Sequence, residues 1–183
     1  MSALWISAWP WSVTIRRQVV HSGACAHRCD ATVESMPRVP RTSLPDGFFH
    51  VVARGVPETP IFLGDADRAR FVGLLERIES RHAWICHAYC LMTTHYHVAV
   101  EATRSALSQG LCELNGTYAR VFNQRHGRFG HLFADRASTR VIDSEEYLHD
   151  ACSYVLLNPV KAGLCDRVED WPWSYSRIGL GSS

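Results

Sequence analysis

A chain of 183 residues, 46% hydrophobic and with a formal charge of +1, is long enough for one domain with a proper core and has no need of a second. That balance does not advertise a nucleic-acid binder. Seven cysteines, an odd number scattered along the chain, argue against a disulfide framework and for a reduced, cytosolic setting.

Met1 to Ile15 is apolar and tryptophan-rich, but the run is short, contains Pro10, and is followed rather than preceded by Arg16 and Arg17. That order is wrong for a secretory signal and the run is too short for a membrane span, so no membrane association is expected. Cys25 and Cys29, with His21 and His27, look superficially like a zinc cluster, yet no second ligand pair of finger-like spacing accompanies them.

Periodicity predicts the elements that follow. Phe48 to Arg54 reads as a strand, and Asp65 to Arg81, with Ala69, Val72, Leu75 and Ile78 at helical spacing, as a helix. Trp84 to Met92 and Tyr96 to Glu101 make two strands joined by a tight Thr93-Thr94 connection. Cys86 and Cys90, four apart, would share a face of the first of these; they read as core thiols, too far apart to chelate one ion easily. Ser105 to Gln124 is a second helix whose apolar stripe is Leu107, Leu111, Leu114, Tyr118 and Phe122, which makes Tyr118 a core residue rather than a nucleophile. Leu132 to Ile142 supplies a fourth strand. Asp143 as N-cap and Glu146 as its capping-box partner open a third helix, which runs to about Asn158, where the following proline disfavours continuation. Trp171 and Trp173 should pack back onto the domain. The order strand, helix, strand, strand, helix, strand is the ferredoxin-like arrangement: an α+β fold in which helices pack on an antiparallel sheet, the histidine strand is central, and a C-terminal helix is added.

Two stretches carry chemistry. In His95-Tyr96-His97 the pleat of a strand turns both imidazoles to one face and sends Tyr96, Val98 and Val100 into the core. On the third helix, Tyr147, Ala151, Tyr154 and Asn158 lie along one stripe, while Leu148, Cys152, Val155 and Leu156 form the buried side. A tyrosine and an amide oxygen can thus be presented together to whatever binds the histidine pair. Between Thr103 and Arg140 the arginines Arg104, Arg120, Arg125, Arg128, Arg136 and Arg140 stand against only Glu113 and Asp135, an excess able to follow a phosphate backbone. Arg120, Arg125, Arg128, His131 and Arg136 are the candidate DNA contacts, and Phe129 and Phe133 are placed to stack on unpaired bases.

Together these residues resemble the HUH-type single-tyrosine transposases, and within them the REP-associated tyrosine transposases of bacteria. The resemblance runs from about Leu44 to Tyr175. It rests on Phe49-His50-Val51-Val52-Ala53-Arg54-Gly55, Pro60-Ile61-Phe62-Leu63, His87-Ala88-Tyr89-Cys90-Leu91-Met92, His95-Tyr96-His97, Leu114-Asn115-Gly116-Thr117-Tyr118-Ala119-Arg120 and Gly130-His131-Leu132-Phe133. Leu157-Asn158-Pro159-Val160-Lys161-Ala162-Gly163-Leu164 and Trp171-Pro172-Trp173-Ser174 complete it, in order and at the same spacing. The resemblance implies that His95 and His97 bind a divalent metal, Mg2+ or Mn2+, that Asn158 completes the metal site, and that Tyr154 is the nucleophile. It implies a metal-dependent single-strand DNA endonuclease and strand transferase that forms a 5'-phosphotyrosine intermediate at hairpin-forming repeat DNA. Such an enzyme would work in the cytoplasm as a monomer or homodimer. Met36-Pro37-Arg38 resembles the usual start of these transposases, so residues 1–42 are expected to be an extension outside the domain of residues 43–183. Thr93-Thr94 replaces the Pro-Asn common before the histidines, and Ala134-Asp135-Arg136-Ala137 lacks the Gly-Arg-aromatic often found there, which leaves the target sequence open.

The alternative from another class is a non-catalytic single-stranded nucleic-acid-binding protein, including a degenerate transposase, because a sheet of this kind can also stack single-stranded RNA. A binding module needs neither two histidines on one strand face nor a helical Tyr-x-x-x-Asn. A replication initiator of the same chemistry is disfavoured by the short chain.

Overall fold

The computed structural model describes residues 44–179. The expectations for residues 1–42, including a start at Met36 and the Cys25 and Cys29 group, lie outside the described residues. Five strands, β1 (Gly47–Arg54), β2 (Ile85–Leu91), β3 (His95–Ala102), β4 (Ser138–Ile142) and β5 (Ser174–Ser176), form one sheet in the order β4-β1-β3-β2-β5. Every neighbouring pair is antiparallel. Three helices, α1 (Asp65–His82), α2 (Arg104–His126) and α3 (Glu145–Lys161), complete the α+β fold with its ferredoxin-like order. As expected, the histidine strand β3 is the central one.

The pleat divides the core in two. Phe49, Val51 and Ala53 of β1 with Tyr96, Val98 and Val100 of β3 join Phe71, Leu75, Leu107, Leu114 and Tyr118 in one cluster under α1 and α2. On the opposite face Ala88, Cys90, Met92 and Ala99 pack with Leu148, Cys152 and Val155 of α3. Each fully buried aliphatic or aromatic side chain contributes about 1.5–3 kcal/mol, so α3 is held to the sheet by burial rather than by its polar groups. Burial holds the Cys152 thiol up at about 11 and the Cys90 thiol at about 12, which keeps both as inert core groups.

Several boundaries and faces depart from the sequence reading. Cys86 and Cys90 do not share a face: the β2–β3 register shifts between Cys86 and Ala88, and this bulge leaves Cys86 in the α1/α2 core while Cys90 faces α3. Ala69 is exposed, and the buried side of α1 is Phe71, Val72, Leu74, Leu75 and Ile78 with Asp67 and Arg68. The fourth strand is shorter than Leu132 to Ile142. Ala134-Asp135-Arg136-Ala137 offers little that favours a pleated surface, so only Ser138–Ile142 pairs as a strand, beyond an isolated Gly55–Phe133 bridge. Ser144, not Asp143, caps α3, its Oγ accepting from the Tyr147 N–H.

The third helix also runs past Asn158 to Lys161 with Pro159 inside it. Proline has no N–H to give the Val155 carbonyl; Asn158 Nδ2 donates to that carbonyl at 3.3 Å and to the Tyr154 carbonyl at 2.8 Å. The amide side chain therefore replaces the missing backbone donor, and the helix continues for one more turn. The three-residue strand β5 was too short to read from periodicity. It pairs with Ala88–Cys90, and the tail does pack back, with Trp173 Nε1 donating to Asp65 at 2.9 Å and the Arg68 guanidinium lying over the Trp171 and Trp173 rings.

Gly110 of α2 faces the Trp84 indole so closely that a Cβ there would sit 2.5 Å from Trp84 Cζ2. Gly110→Ala should therefore cost about 1–3 kcal/mol through overpacking, read as a lower urea midpoint at unchanged slope; an unchanged midpoint would mean the indole yields freely.

Candidate active site

Residues paired directly across an antiparallel sheet share a face. Arg54 is the register partner of His95, Val52 of His97, and His50 of both Ala99 and Arg140. His50, Arg54, His95, His97 and Arg140 consequently stand on one face, the one α3 covers. The sequence reading named His95 and His97 but missed His50, whose signal was its even position on β1, in step with Val52 opposite His97. Arg140 was read only as part of the arginine excess, and its register with His50 was not visible before the strands were paired.

The imidazoles of His50 and His97 stack with centroids 5.3 Å apart and planes 15° apart, and His50 Nε2 lies 3.1 Å from His97 Nδ1. His95 Nδ1 lies 3.1 Å from Thr94 Oγ1. Each of the two predicted ligands thus has its Nδ1 engaged. His97 Nε2 is buried without a hydrogen-bond partner, within a residue only 4% exposed. Burial, then the Arg140 charge, pushes His50 down to about 4; burial, then Arg54, does the same to His95. Burial followed by His50, His95 and Arg54 takes His97 down to about 3. All three are neutral at pH 7, the form in which an imidazole nitrogen is a lone-pair donor.

Tyr154 projects from α3 over this cluster, edge-on to His50 at 5.8 Å and to His97 at 6.2 Å between centroids. It is 46% exposed, so one side of the phenol meets solvent while the other meets the histidines. Lys161, two helical turns on and another residue the sequence reading missed, holds its Nζ 4.3 Å from the centre of the Tyr154 ring. Tyr118, by contrast, is buried and donates its hydroxyl to the Ile61 carbonyl at 2.6 Å; burial drives its phenol far above the ordinary range. It is a core residue, as expected.

The donor set fits a loosely held divalent cation. Among the described residues no three His, Cys, Asp or Glu side chains gather into a metal-binding group. An orphaned, buried Nε2 whose ring is oriented through its other nitrogen is the arrangement of a metal-ligating histidine. The hydrogen bonds of Asn158 go to its own helix and use Nδ2, which leaves Oδ1 as the acceptor end of that side chain.

The predicted DNA contacts divide between layers. Arg120 and Arg125 belong to α2, on the side of the sheet away from Tyr154, and Arg125 lies 3.5 Å from the buried Asp67 carboxylate. Arg128, with its guanidinium 5.9 Å from the Phe122 ring, His131 and Arg136 lie in the connection from α2 to β4. That connection returns to the histidine end of the sheet, since the Val56 N–H donates to Leu132 and the Ala134 N–H to Arg54. Among the described residues no helix is long and apolar enough to cross a membrane.

No family model matches the sequence, and no curated protein does. Among solved structures the chain is similar to one of a REP-associated tyrosine transposase bound to a REP hairpin, with a TM-score of 0.63 and 17% identity over 76% of this chain and 82% of that one. At that identity the likeness is one of fold: an antiparallel sheet and helices arranged as in that structure.

Proposed function

We propose that this protein is a transposase of the single-tyrosine HUH kind: a metal-dependent single-strand DNA endonuclease and strand transferase acting at hairpin-forming, REP-like repeat DNA. The observation that carries this reading is Tyr154, half exposed and standing edge-on over His50 and His97 beside a buried, partnerless Nε2. A structure of like fold bound to a REP hairpin supports DNA as the partner.

Tyr154 Oη forms a bond to phosphorus as the bond from phosphorus to the 3' oxygen breaks; the phenolic proton passes to solvent and the leaving 3' oxygen takes one up. The DNA 5' end stays on the tyrosine as a phosphodiester, so resealing or transfer to another 3' hydroxyl needs no ATP. Nε2 of His97, the free nitrogen of His95 and Oδ1 of Asn158 are the donors for Mg2+ or Mn2+. Bound there, the cation supplies Lewis-acid stabilisation of the charge developing on the phosphate oxygens. His50 orients His97 through its Nδ1. Arg54 and Arg140 lie at the edges of the same face, where a strand's phosphates would pass, and Lys161 fixes the face of the phenol. Arg128, His131 and Arg136 contact DNA beside the histidine end of the sheet, and Arg120 and Arg125 do so on the far layer. Packing of Tyr154 on histidines of its own chain supports cutting in cis.

Single-stranded fragments containing hairpins, incubated with the protein and Mn2+, should yield a covalent protein-DNA adduct on a denaturing gel that Tyr154→Phe abolishes while single-strand binding persists. An adduct undiminished by that substitution would refute the assignment, and binding without any adduct from the wild type would favour a non-catalytic module. His50→Ala should weaken Mn2+ binding by about 10- to 100-fold in calorimetry, as loss of an orienting partner does, and His97→Ala should remove it. Equal affinities in all three proteins would rule out the donor set.

A further inference from the structure

Phe129 is the most exposed large hydrophobic residue among those described, at 96%. A phenylalanine on a floppy loop would be unremarkable, but this one is held. Gly127 ends α2 at φ 61° and Gly130 turns the chain again at φ 88°, conformations that suit glycine. Between them the Arg128 N–H donates to the Asn123 carbonyl at 2.9 Å, and Asn123 Nδ2 donates back across the loop to the Gly130 carbonyl at 2.8 Å. Leu132 then enters the core and its carbonyl accepts from Val56. The backbone that carries the ring is therefore anchored on both sides and holds the ring out in water, in a fold whose neighbouring aromatics, Phe122 and Phe133, turn inward.

The surroundings say what such a ring is for. Arg128 adjoins it in sequence, His131 and Arg136 follow, and Asp135 is the single carboxylate between Arg120 and Arg140. Phe133, four residues on, bridges Gly55, next to Arg54 and hence to the register partner of His95. Four residues of chain span at most about 14 Å, so the ring lies within reach of a strand crossing the histidine face. A cationic loop presenting one exposed aromatic on an anchored backbone suits a polyanion whose flat bases are unpaired. Resting on the reading of the site above, we propose that Phe129 is a stacking platform for an unpaired base of single-stranded DNA, beside the strand segment that enters the tyrosine site.

Binding of a fluorescein-labelled oligo(dT) of about 20 nucleotides, longer than one stacking groove occupies, tests this by anisotropy, with a duplex of equal length as control. Phe129→Ala should weaken oligo(dT) binding by about tenfold and Phe129→Leu nearly as much, while Phe129→Trp keeps it and duplex affinity does not change. Oligo(dT) bound by Phe129→Ala as tightly as by wild type overturns the proposal. So does loss of self-association in sedimentation with DNA binding intact, which would make Phe129 a contact between copies of the chain. If wild type binds neither probe, the nucleic-acid reading itself fails; if wild type binds and forms the Tyr154 adduct while Phe129→Ala binds equally well, only the stacking role falls.

Discussion

The two-residue period of β3, at the centre of the sheet, is the constraint from which the rest follows. A strand with neighbours on both sides and helices on both faces has no solvent-facing row, so its side chains must be apolar or must find a purpose. On the α1/α2 side the row is Tyr96, Val98 and Val100, all but fully buried. On the α3 side the row begins with His95 and His97, where a polar group is costly to bury without a partner. His50 and Thr94 each satisfy one nitrogen, and the chain leaves His97 Nε2 unsatisfied. A slip of one residue in the β1–β3 register would exchange these rows and destroy core and site together.

The position of the tyrosine depends on a second local solution. Pro159 ought to weaken α3 at the turn that carries Tyr154, and the Asn158 amide prevents this by supplying the donor that proline lacks. The same side chain thus supplies from its own amide what the backbone lacks. Nδ2 maintains the helix through Lys161, which brings that ammonium to the phenol ring. An aspartate at this position would keep the oxygen and forfeit the donor. A purely local reading of the sequence treats Pro159 as the end of the helix, because the compensation comes from a side chain rather than from the backbone.

That case marks the limit of what was legible. Helix stripes such as Leu107 to Phe122 and the alternation through His95–Val100 are repeated local signals, and they place the core and the histidine strand from sequence alone. What stayed hidden arises from pairing or from one-residue irregularities. His50 joins the site only through the β1–β3 register, and Arg140 only through β1–β4. Cys86 changes face through a single bulge, and β5 is three residues long. Each is a tertiary fact with no periodicity of its own, and the site's outer parts are drawn largely from this class.

The electrostatics of the face divide labour between two kinds of nitrogen. Burial keeps His50, His95 and His97 uncharged at neutral pH, so the centre of the site offers lone pairs and adds no positive charge of its own. Arg54 contributes a cationic group from the end of β1 and Arg140 one from the middle of β4, and a guanidinium can pair with phosphate oxygens but cannot act as a metal ligand. The two arginines also help hold the histidines neutral: Arg54 lowers His95 and His97, and Arg140 lowers His50. Because each arginine sits in register with a histidine, the sheet's backbone ladder sets the neutral nitrogens and the cationic groups at once. The face therefore carries its positive charge on Arg54 and Arg140 and neutral nitrogens between them, beside the half-exposed Tyr154.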